Sequence, residues 1–274
     1  MIAHDIAAAA DLSAEDTVLE IGPGGGALTE QLLEHAGHVV AVELDERLAE
    51  ALRRRHAGET RLTVVGGSVL DHPADELLAA GGRTPPYVVV ANLPYYITAP
   101  VLRHLLERGP RPRRLVLMVQ REVAATICGR HGLSLLGVSV QVFAAPRLLF
   151  GVPPEAFRPP PRVHSAVVRL DCFAAPVVPE AELAGFFRVV QAGFRQPRKQ
   201  LRNSLPGGIW LPPGAAPELL QGAGIDPARR PGTLGIAEWL ALYRCYAGMR
   251  PAFERERVEP AACDAAETPG EAEE

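Results

Sequence analysis

The sequence has little lysine, few aromatic side chains and no long apolar run. Lys199 is the only lysine among 28 basic residues, and aromatic residues make up 5% of the 274. Charges, Gly or Pro interrupt every apolar run well before the roughly 18–20 residues that a membrane span needs. The first residues carry acids where a secretory signal would carry Lys or Arg. We therefore expect a cytoplasmic protein that does not bind membranes.

Cysteine and histidine are too scattered to form a metal site or a disulfide framework. Cys128, Cys172, Cys245 and Cys263 stand singly, and the eight histidines show no HxxxH or HxE pattern. We therefore expect free thiols and no metal. A chain of this length with 47% apolar residues can bury a full core without such crosslinks.

Charge is distributed unevenly along the chain. Residues 1–110 carry 8 basic and 16 acidic side chains, whereas residues 111–230 carry 16 and 7. Almost all of this positive charge is arginine, which suits contacts to phosphates and stacked bases, although GC-rich coding explains the bias equally well. Residues 252–274 carry 2 basic and 8 acidic side chains. Their composition predicts a disordered acidic tail, which we place at 251–274.

Strand-like and helix-like segments alternate through the first two thirds of the chain. Amphipathic stretches such as 28–35 and Glu46–Arg55 separate short β-branched runs at 17–21, 38–43, 62–65, 87–91 and 115–119. This alternation predicts an α/β fold with a parallel, Rossmann-like sheet covered by helices on both faces. Two more candidate strands, at 139–144 and 164–170, would close the sheet at an antiparallel edge.

The last third has a helical pattern. Helical segments are predicted at 180–193, 198–204, 216–223 and 236–249, with Pro-Gly turns between them. We therefore expect a first domain at 1–172, a small all-helical domain at 173–250 and the acidic tail at 251–274.

A glycine-rich turn follows the first predicted strand and precedes a helix. Gly22, Gly24 and Gly26 would allow backbone N–H groups to approach a ligand at the helix N-terminus. Glu43 ends the next strand, where a carboxylate can accept both ribose hydroxyl protons. The pattern predicts a nucleoside-containing cofactor at 20–43, and a structural turn without a ligand is the alternative.

Glu20 decides which cofactor fits this turn better. The glycine pattern also satisfies the dinucleotide fingerprint GxGxxG/A. A carboxylate just before the glycines would repel a pyrophosphate, but it suits the sulfonium and ammonium of S-adenosylmethionine. We therefore favour a methyl donor.

The motif Asn92-Leu93-Pro94-Tyr95 follows the fourth predicted strand, at the sheet edge where ligands of open α/β folds bind. The exocyclic amine of adenine is a poor nucleophile because its lone pair is delocalised into the ring. The Asn92 amide oxygen and the Leu93 carbonyl could both accept from that amine and direct its lone pair towards a methyl group. Pro94 would stiffen the turn, and Tyr95 would offer a ring for stacking. A plain Asn-Pro turn is the structural alternative.

These motifs together resemble one known family, the small-subunit (16S) ribosomal RNA adenine dimethyltransferases, which are class I methyltransferases related to the erythromycin-resistance enzymes. The resemblance covers about residues 1–250. The motifs that carry it are LEIGPGGGALTEQLL (19–33), VVAVELD (39–45), ANLPYYI (91–97), LMVQREVA (117–124), LLFGVPPEAFRPPPRVHSAVVRL (148–170), FRQPRKQLRNSL (194–205) and GIDPARRPGTL (224–234).

The resemblance implies a role for each matching residue. Contacts to S-adenosylmethionine fall on Gly22, Glu43, position 68 and Asn92, and contacts to the target base on Asn92, Leu93, Tyr95 and Phe157. For Phe157, a buried packing role is the equal alternative. The helical domain would bind RNA phosphates through four cations, Arg195, Arg198, Lys199 and Arg202. The partner implied is small-subunit rRNA in a pre-ribosomal particle, and we expect a monomer.

The sequence departs from the family pattern at several places. We expect the N-terminal Gln-Asn-Phe-Leu motif to be missing, since Met1 aligns inside the first helix. Ser68 stands where the family has an Asp that accepts from the cofactor's adenine amine. Pro197 and His164 replace the usual Arg and Asp.

Two other functions remain open on sequence alone. One is a resistance-type methyltransferase of large-subunit rRNA, and the other is a non-catalytic RNA-binding assembly factor of the same fold.

Overall fold

The structure is a computed structural model that describes residues 2–157 and 160–258. The chain divides into two compact units, 1–183 and 184–274. Within the described ranges, no helix is both long enough and apolar enough to cross a bilayer.

The first unit is built on one seven-stranded sheet. Its strands, in chain order, are β1 (Thr17–Ile21), β2 (His38–Glu43), β3 (Leu62–Gly66), β4 (Val88–Asn92), β5 (Arg114–Gln120), β6 (Ala144–Val152) and β7 (Ser165–Cys172). The spatial order is β3-β2-β1-β4-β5-β7-β6. The first five strands are parallel, and β6 and β7 form an antiparallel edge. The predicted α/β fold with its antiparallel edge is confirmed.

Seven helices accompany this sheet: α1 (Ile2–Ala9), α2 (Ala27–His35), α3 (Glu46–Arg55), α4 (Ala74–Ala80), α5 (Thr98–Glu107), α6 (Arg121–Ile127) and α7 (Leu135–Gln141). Every residue of β1 and β2 is buried, as expected for central strands covered on both faces. One core cluster joins Ile6 of α1 and Leu32 of α2 to Val18, Val90 and Val116 of the sheet. This packing fixes the carboxyl ends of β1 and β4 side by side.

The predicted strand at 139–144 is wrong. Its first half, 139–141, belongs to α7, which begins after Ser134, whose hydroxyl oxygen accepts from the Gly137 N–H at 3.1 Å. A short apolar run is compatible with a strand or a buried helix, and this cap favours the helix. The strand that follows, β6, contains Pro146 and lies at the edge of the sheet, where a missing N–H is tolerated.

The first unit extends beyond the predicted boundary at 172/173. The Phe173 N–H donates to the Phe143 carbonyl at 2.8 Å, and the Val177 N–H donates to the Val142 carbonyl at 3.0 Å. Glu180 pairs with Arg111 at 2.5 Å. These contacts hold the segment after β7 on the first unit.

The second unit is helical, as predicted. Its helices are α8 (Leu183–Phe194), α9 (Leu201–Ser204), α10 (Ala215–Gly222) and α11 (Ile236–Val258). Helix α11 continues through 251–258, which we had assigned to the disordered tail. The remainder of the predicted tail, 259–274, lies outside the described residues, as does Cys263, whereas Cys128, Cys172 and Cys245 are free thiols.

Candidate active site

The glycine turn after β1 has the backbone conformation that its sequence requires. Gly22, Gly24 and Gly26 have φ angles of 69°, 53° and 84°, which side chains other than glycine rarely adopt. The Gly22 N–H donates to the Val42 carbonyl at 2.9 Å and so ties the turn to β2. Gly26 caps α2, and a Cβ there would lie 2.7 Å from the Leu52 side chain. The turn therefore needs glycine for both conformation and space.

Glu43 ties the ends of β1, β2 and β3 together. Its Oε2 accepts from the Gly24 N–H at 2.9 Å, and its Oε1 accepts from the Asp45 N–H at 3.0 Å. Its backbone carbonyl accepts from the Gly67 N–H at 2.8 Å. The buried carboxylate thus fixes the loops around it, and the remaining lone pairs of its two oxygens can still accept from a ligand.

Glu20 lies on β1 and has no exposed surface. Neither of its carboxyl oxygens has a hydrogen-bond partner among the described residues. Burial raises the pKa of Glu20 to about 8, the nearby Thr29 hydroxyl lowers it without reaching hydrogen-bond geometry, and the charge of Glu43 raises it. Glu20 is thus a buried carboxyl beside the glycine turn whose hydrogen-bonding capacity is unused within the described ranges, and its contact with a cofactor cation stays a prediction.

Ser68 lies in the loop after β3, next to Gly67. Its hydroxyl oxygen accepts from the Leu70 N–H at 3.2 Å, and its carbonyl accepts from the Asp71 N–H at 3.2 Å. Because Gly67 is bonded to Glu43, Ser68 belongs to the same group of loops as the glycine turn. The hydroxyl carries no charge, whereas the resemblance described above implies a carboxylate at this position.

Asn92 is the last residue of β4, and its side chain is exposed at the carboxyl edge of the sheet. A Cβ built on Gly22 would lie 4.0 Å from the Asn92 carbonyl oxygen, so the two loops are adjacent. Leu93 anchors the motif, because its side chain is buried and its N–H donates to the Met118 carbonyl at 3.2 Å. Pro94 is exposed and precedes a 3-10 turn at Tyr95–Ile97.

Phe157 is half-buried and packs against the same core cluster that contains Val152 and Val167. Its N–H donates to the Pro154 carbonyl at 3.1 Å. The next two residues, 158 and 159, lie outside the described ranges. These contacts support a packing role for Phe157. Its stacking on the target base stays a prediction.

The four cations predicted to bind RNA are all exposed in the second unit. The predicted basic helix is shorter than expected, because α9 begins at Leu201 and the preceding residues form a turn closed by the Lys199 N–H on the Gln196 carbonyl at 2.9 Å. Arg195 donates to the Gly207 carbonyl. Arg198, Lys199 and Arg202 form no ion pair with any residue that the structure describes.

Two residues that support the site were missed in the sequence. Asp45 caps α3 by accepting from the Arg47 N–H at 2.8 Å, and an Asp directly before a helical pattern is a signal that could have found it. Arg55 donates to the Gly25 carbonyl at 3.0 Å and pairs with Glu30 at 2.7 Å. Arg55 and Gly25 are 30 residues apart in the sequence, so no local pattern indicates their contact.

In the part of the chain that the structure describes, no group of three or more His, Cys, Asp or Glu side chains could hold a metal ion. The candidate site is instead formed by loops at the ends of four parallel strands, with a glycine turn that carries no side chains, the buried Glu43 carboxylate and the exposed Asn92 side chain. This arrangement suits a nucleoside-containing ligand.

Comparisons with known proteins identify the family. A family model for ribosomal RNA adenine dimethylase matches residues 1–247. A ribosomal RNA small subunit methyltransferase A from Dehalococcoides mccartyi is 44% identical over 248 residues, which cover 90% of this chain and 84% of that protein. The protein of the same name from Moorella thermoacetica is 44% identical over 251 residues, covering 89% and 87%.

A solved structure is also similar in fold. The crystal structure of the 23S rRNA methyltransferase ErmE has a TM-score of 0.70 and 28% identity, and the match covers 89% of this chain and 96% of that one. The family model matches nearly the whole described chain, and two relatives are 44% identical to it. Both findings indicate the same family. This chain belongs to the ribosomal RNA adenine dimethylase family.

Proposed function

We propose that this chain transfers methyl groups from S-adenosylmethionine to the exocyclic amines of two adjacent adenines in small-subunit ribosomal RNA, and so contributes to ribosome biogenesis. The observation that carries the proposal is the position of Asn92, an exposed residue at the end of β4 whose backbone carbonyl lies beside the glycine turn at Gly22. An acceptor for the amine thus lies beside a turn suited to a nucleoside.

The residues present fit S-adenosylmethionine. Glu20 is a buried carboxyl without a hydrogen-bond partner in the described ranges, two residues before the turn, and its ionisation would be favoured by a nearby cation. Gly22, Gly24 and Gly26 keep side chains away from the turn, and Glu43 and Ser68 offer acceptors for ribose and adenine. When bound, the cofactor supplies the electrophilic methyl group.

The chain's own residues contribute positioning. In the first transfer, the Asn92 amide oxygen and the Leu93 carbonyl accept from the two N–H bonds of the target amine and direct its lone pair out of the ring plane; in the second transfer, one of them accepts from the single N–H bond that remains. Pro94 restricts the turn, Tyr95 offers a ring to the base, and Phe157 supports the wall behind it. No strong base is required, because the methylated ammonium is acidic enough to lose its proton to water.

The small ribosomal subunit is the preferred substrate for this chain. Proteins named as small-subunit methyltransferases are 44% identical, whereas the 23S rRNA enzyme ErmE is 28% identical. We propose that the chain acts as a monomer in the cytoplasm on a pre-ribosomal particle, which its four exposed cations would contact through phosphates.

Labelled methyl transfer tests this function against its rivals. The chain is incubated with labelled S-adenosylmethionine and either undermethylated small subunits or undermethylated large subunits, and the modified nucleotides are mapped by mass spectrometry. We expect N6,N6-dimethyladenine at two adjacent positions of the small-subunit RNA. Label in large-subunit RNA alone would assign the resistance-type activity. RNA binding without cofactor binding in calorimetry would assign a non-catalytic assembly factor.

A further inference from the structure

The second unit contains a cavity of about 190 Å³ that the proposed reaction does not use. Its wall includes three aromatic residues, Trp210, Tyr246 and Phe253, and two arginines, Arg188 and Arg250. At roughly 30 Å³ per water molecule, the space corresponds to about six waters, which is the scale of a single nucleobase.

Helix α11 supplies one wall of the cavity. Tyr246, Arg250 and Phe253 follow the spacing i, i+4 and i+7, which places them on one face of the helix. The rings of Tyr246 and Phe253 lie 6.5 Å apart at 39°, with Phe253 buried and Tyr246 partly exposed. The helix therefore presents an aromatic surface flanked by a cation.

The opposite wall depends on the close approach of a loop to α8. A Cβ on Gly208 would lie 2.5 Å from the Ala192 Cα, so only glycine allows this contact. The contact fixes the loop that carries Trp210, which is half-buried at the cavity. Arg188 of α8 is exposed at the same cavity. An aromatic ring and a guanidinium thus line this side as well.

The charge of the cavity and its position favour a nucleic acid ligand. Among the residues whose side chains the structure describes, two arginines and no acid line it. The loop that carries Trp210 lies next to one of the exposed cations described above, because Arg195 donates to the carbonyl of Gly207, directly before Gly208. Aromatic faces beside arginines bind unpaired bases by stacking while the cations hold the backbone phosphates. An acidic peptide would match the charge but would leave the aromatic walls without a planar partner.

We propose that this cavity binds one unpaired nucleotide of the RNA substrate, with the base against Trp210 and Tyr246 and the adjacent phosphates at Arg188 and Arg250. The inference rests on the proposed function in so far as the substrate is RNA. It adds a second base-binding site, within the helical unit, to the target site at Asn92.

Tryptophan fluorescence tests the proposal directly. Trp210 and Trp239 are the only tryptophans in the sequence, and Trp239 is fully buried. Titration of the full chain with a single-stranded hexanucleotide should quench the emission of Trp210, and Trp210→Phe should abolish most of the quenching. Trp210→Ala should weaken binding of the hexanucleotide by about tenfold, as expected for the loss of one stacked base. An abasic hexamer of the same length should bind both proteins equally.

Arg188→Gln tests the predicted phosphate contact. Arg244→Gln is its matched control, because each variant removes one positive charge. Both arginines are exposed on helices of the second unit, but Arg244 does not line the cavity. Arg188→Gln should reduce the slope of log K against log salt by about 0.7, the value for one phosphate contact with a single strand, whereas Arg244→Gln should change it less. Circular dichroism confirms that each variant is folded.

Three results would overturn the proposal. They are unchanged Trp210 emission at saturating hexanucleotide, equal affinity of Trp210→Ala and the unmodified chain, and quenching by whole ribosomal particles but not by their naked RNA. The last result would assign the cavity to a protein partner. Methyl transfer and cofactor binding, measured separately, report on the target site, so failure here is distinguishable from failure of the proposed function.

Discussion

Replacement of Glu20 by glutamine should make the protein more stable at high pH, relative to the unmodified chain. Glu20 is fully buried on β1, and in the described ranges its carboxyl oxygens have no hydrogen-bond partner. Burial, aided by the charge of Glu43 and opposed by the Thr29 hydroxyl, raises its pKa from 4.5 to about 8. The folded chain therefore keeps a proton that the unfolded chain loses near pH 4.5.

The sign and size of the effect follow from this difference. Between pH 4.5 and about 8 the folded state holds one more proton at Glu20, so the free energy of unfolding falls by about 1.4 kcal/mol per pH unit. The loss is complete above pH 8 and totals about 5 kcal/mol, as an order of magnitude. Glu20→Gln removes the titration but leaves a buried amide, which adds an offset that does not depend on pH.

Urea unfolding from pH 5 to pH 9 measures this slope. The difference in unfolding free energy between Glu20→Gln and the unmodified chain should grow with pH and level off above pH 8, because all other titrations are common to both proteins. Glu15→Gln, the same replacement at an exposed glutamate, is the matched control. Parallel pH profiles for Glu20→Gln and the unmodified chain would refute the reasoning.

Three further predictions concern stability, cofactor affinity and RNA binding. Burial alone would raise the pKa of Asp171, but hydrogen bonds from arginines at positions 114, 147 and 169 lower it to about 2. Asp171→Asn should therefore cost about 2 kcal/mol near pH 7 in urea unfolding, and the difference should diminish as the pH falls from about 4 to 2. Ser68→Asp should bind S-adenosylmethionine about fivefold more tightly in calorimetry, since a charge-assisted hydrogen bond adds about 1 kcal/mol; unchanged affinity would remove position 68 from the cofactor site. Replacement of Arg198, Lys199 and Arg202 by glutamine should flatten the salt dependence of RNA binding by about two to three units of slope and leave cofactor affinity unchanged, and an unaltered slope would make them solvated side chains only.

The parallel sheet and the loops at its edge could be predicted because their signals are local. Buried parallel strands form continuous apolar runs, and the glycine turn needs positive φ angles that few other residues adopt. The strand predicted at 139–144 is wrong because the apolar residues of this segment fit both periods, whereas the cap at Ser134 favours a helix.

The position and the hydrogen bonds of Glu43 could be predicted only in part. Its place at the end of β2 follows from the sequence, but its hydrogen bonds to Gly24 and Asp45 depend on how β1 and β2 pair. The contact of Arg55 with Gly25 is likewise tertiary. The cavity beside Trp210 has residues from three separate elements, so no run of sequence indicates it.

The central claim is that the Asn92 amide positions the target amine for methyl transfer. The most direct test is the single-turnover rate of Asn92→Ala on undermethylated small subunits at saturating S-adenosylmethionine, with Asn203→Ala, the other asparagine and an exposed one, as control. We predict that Asn92→Ala lowers the rate by roughly 10²–10³-fold while cofactor affinity stays within a few-fold, as is typical when one preorganised contact is lost. A rate for Asn92→Ala equal to that of Asn203→Ala would contradict the account.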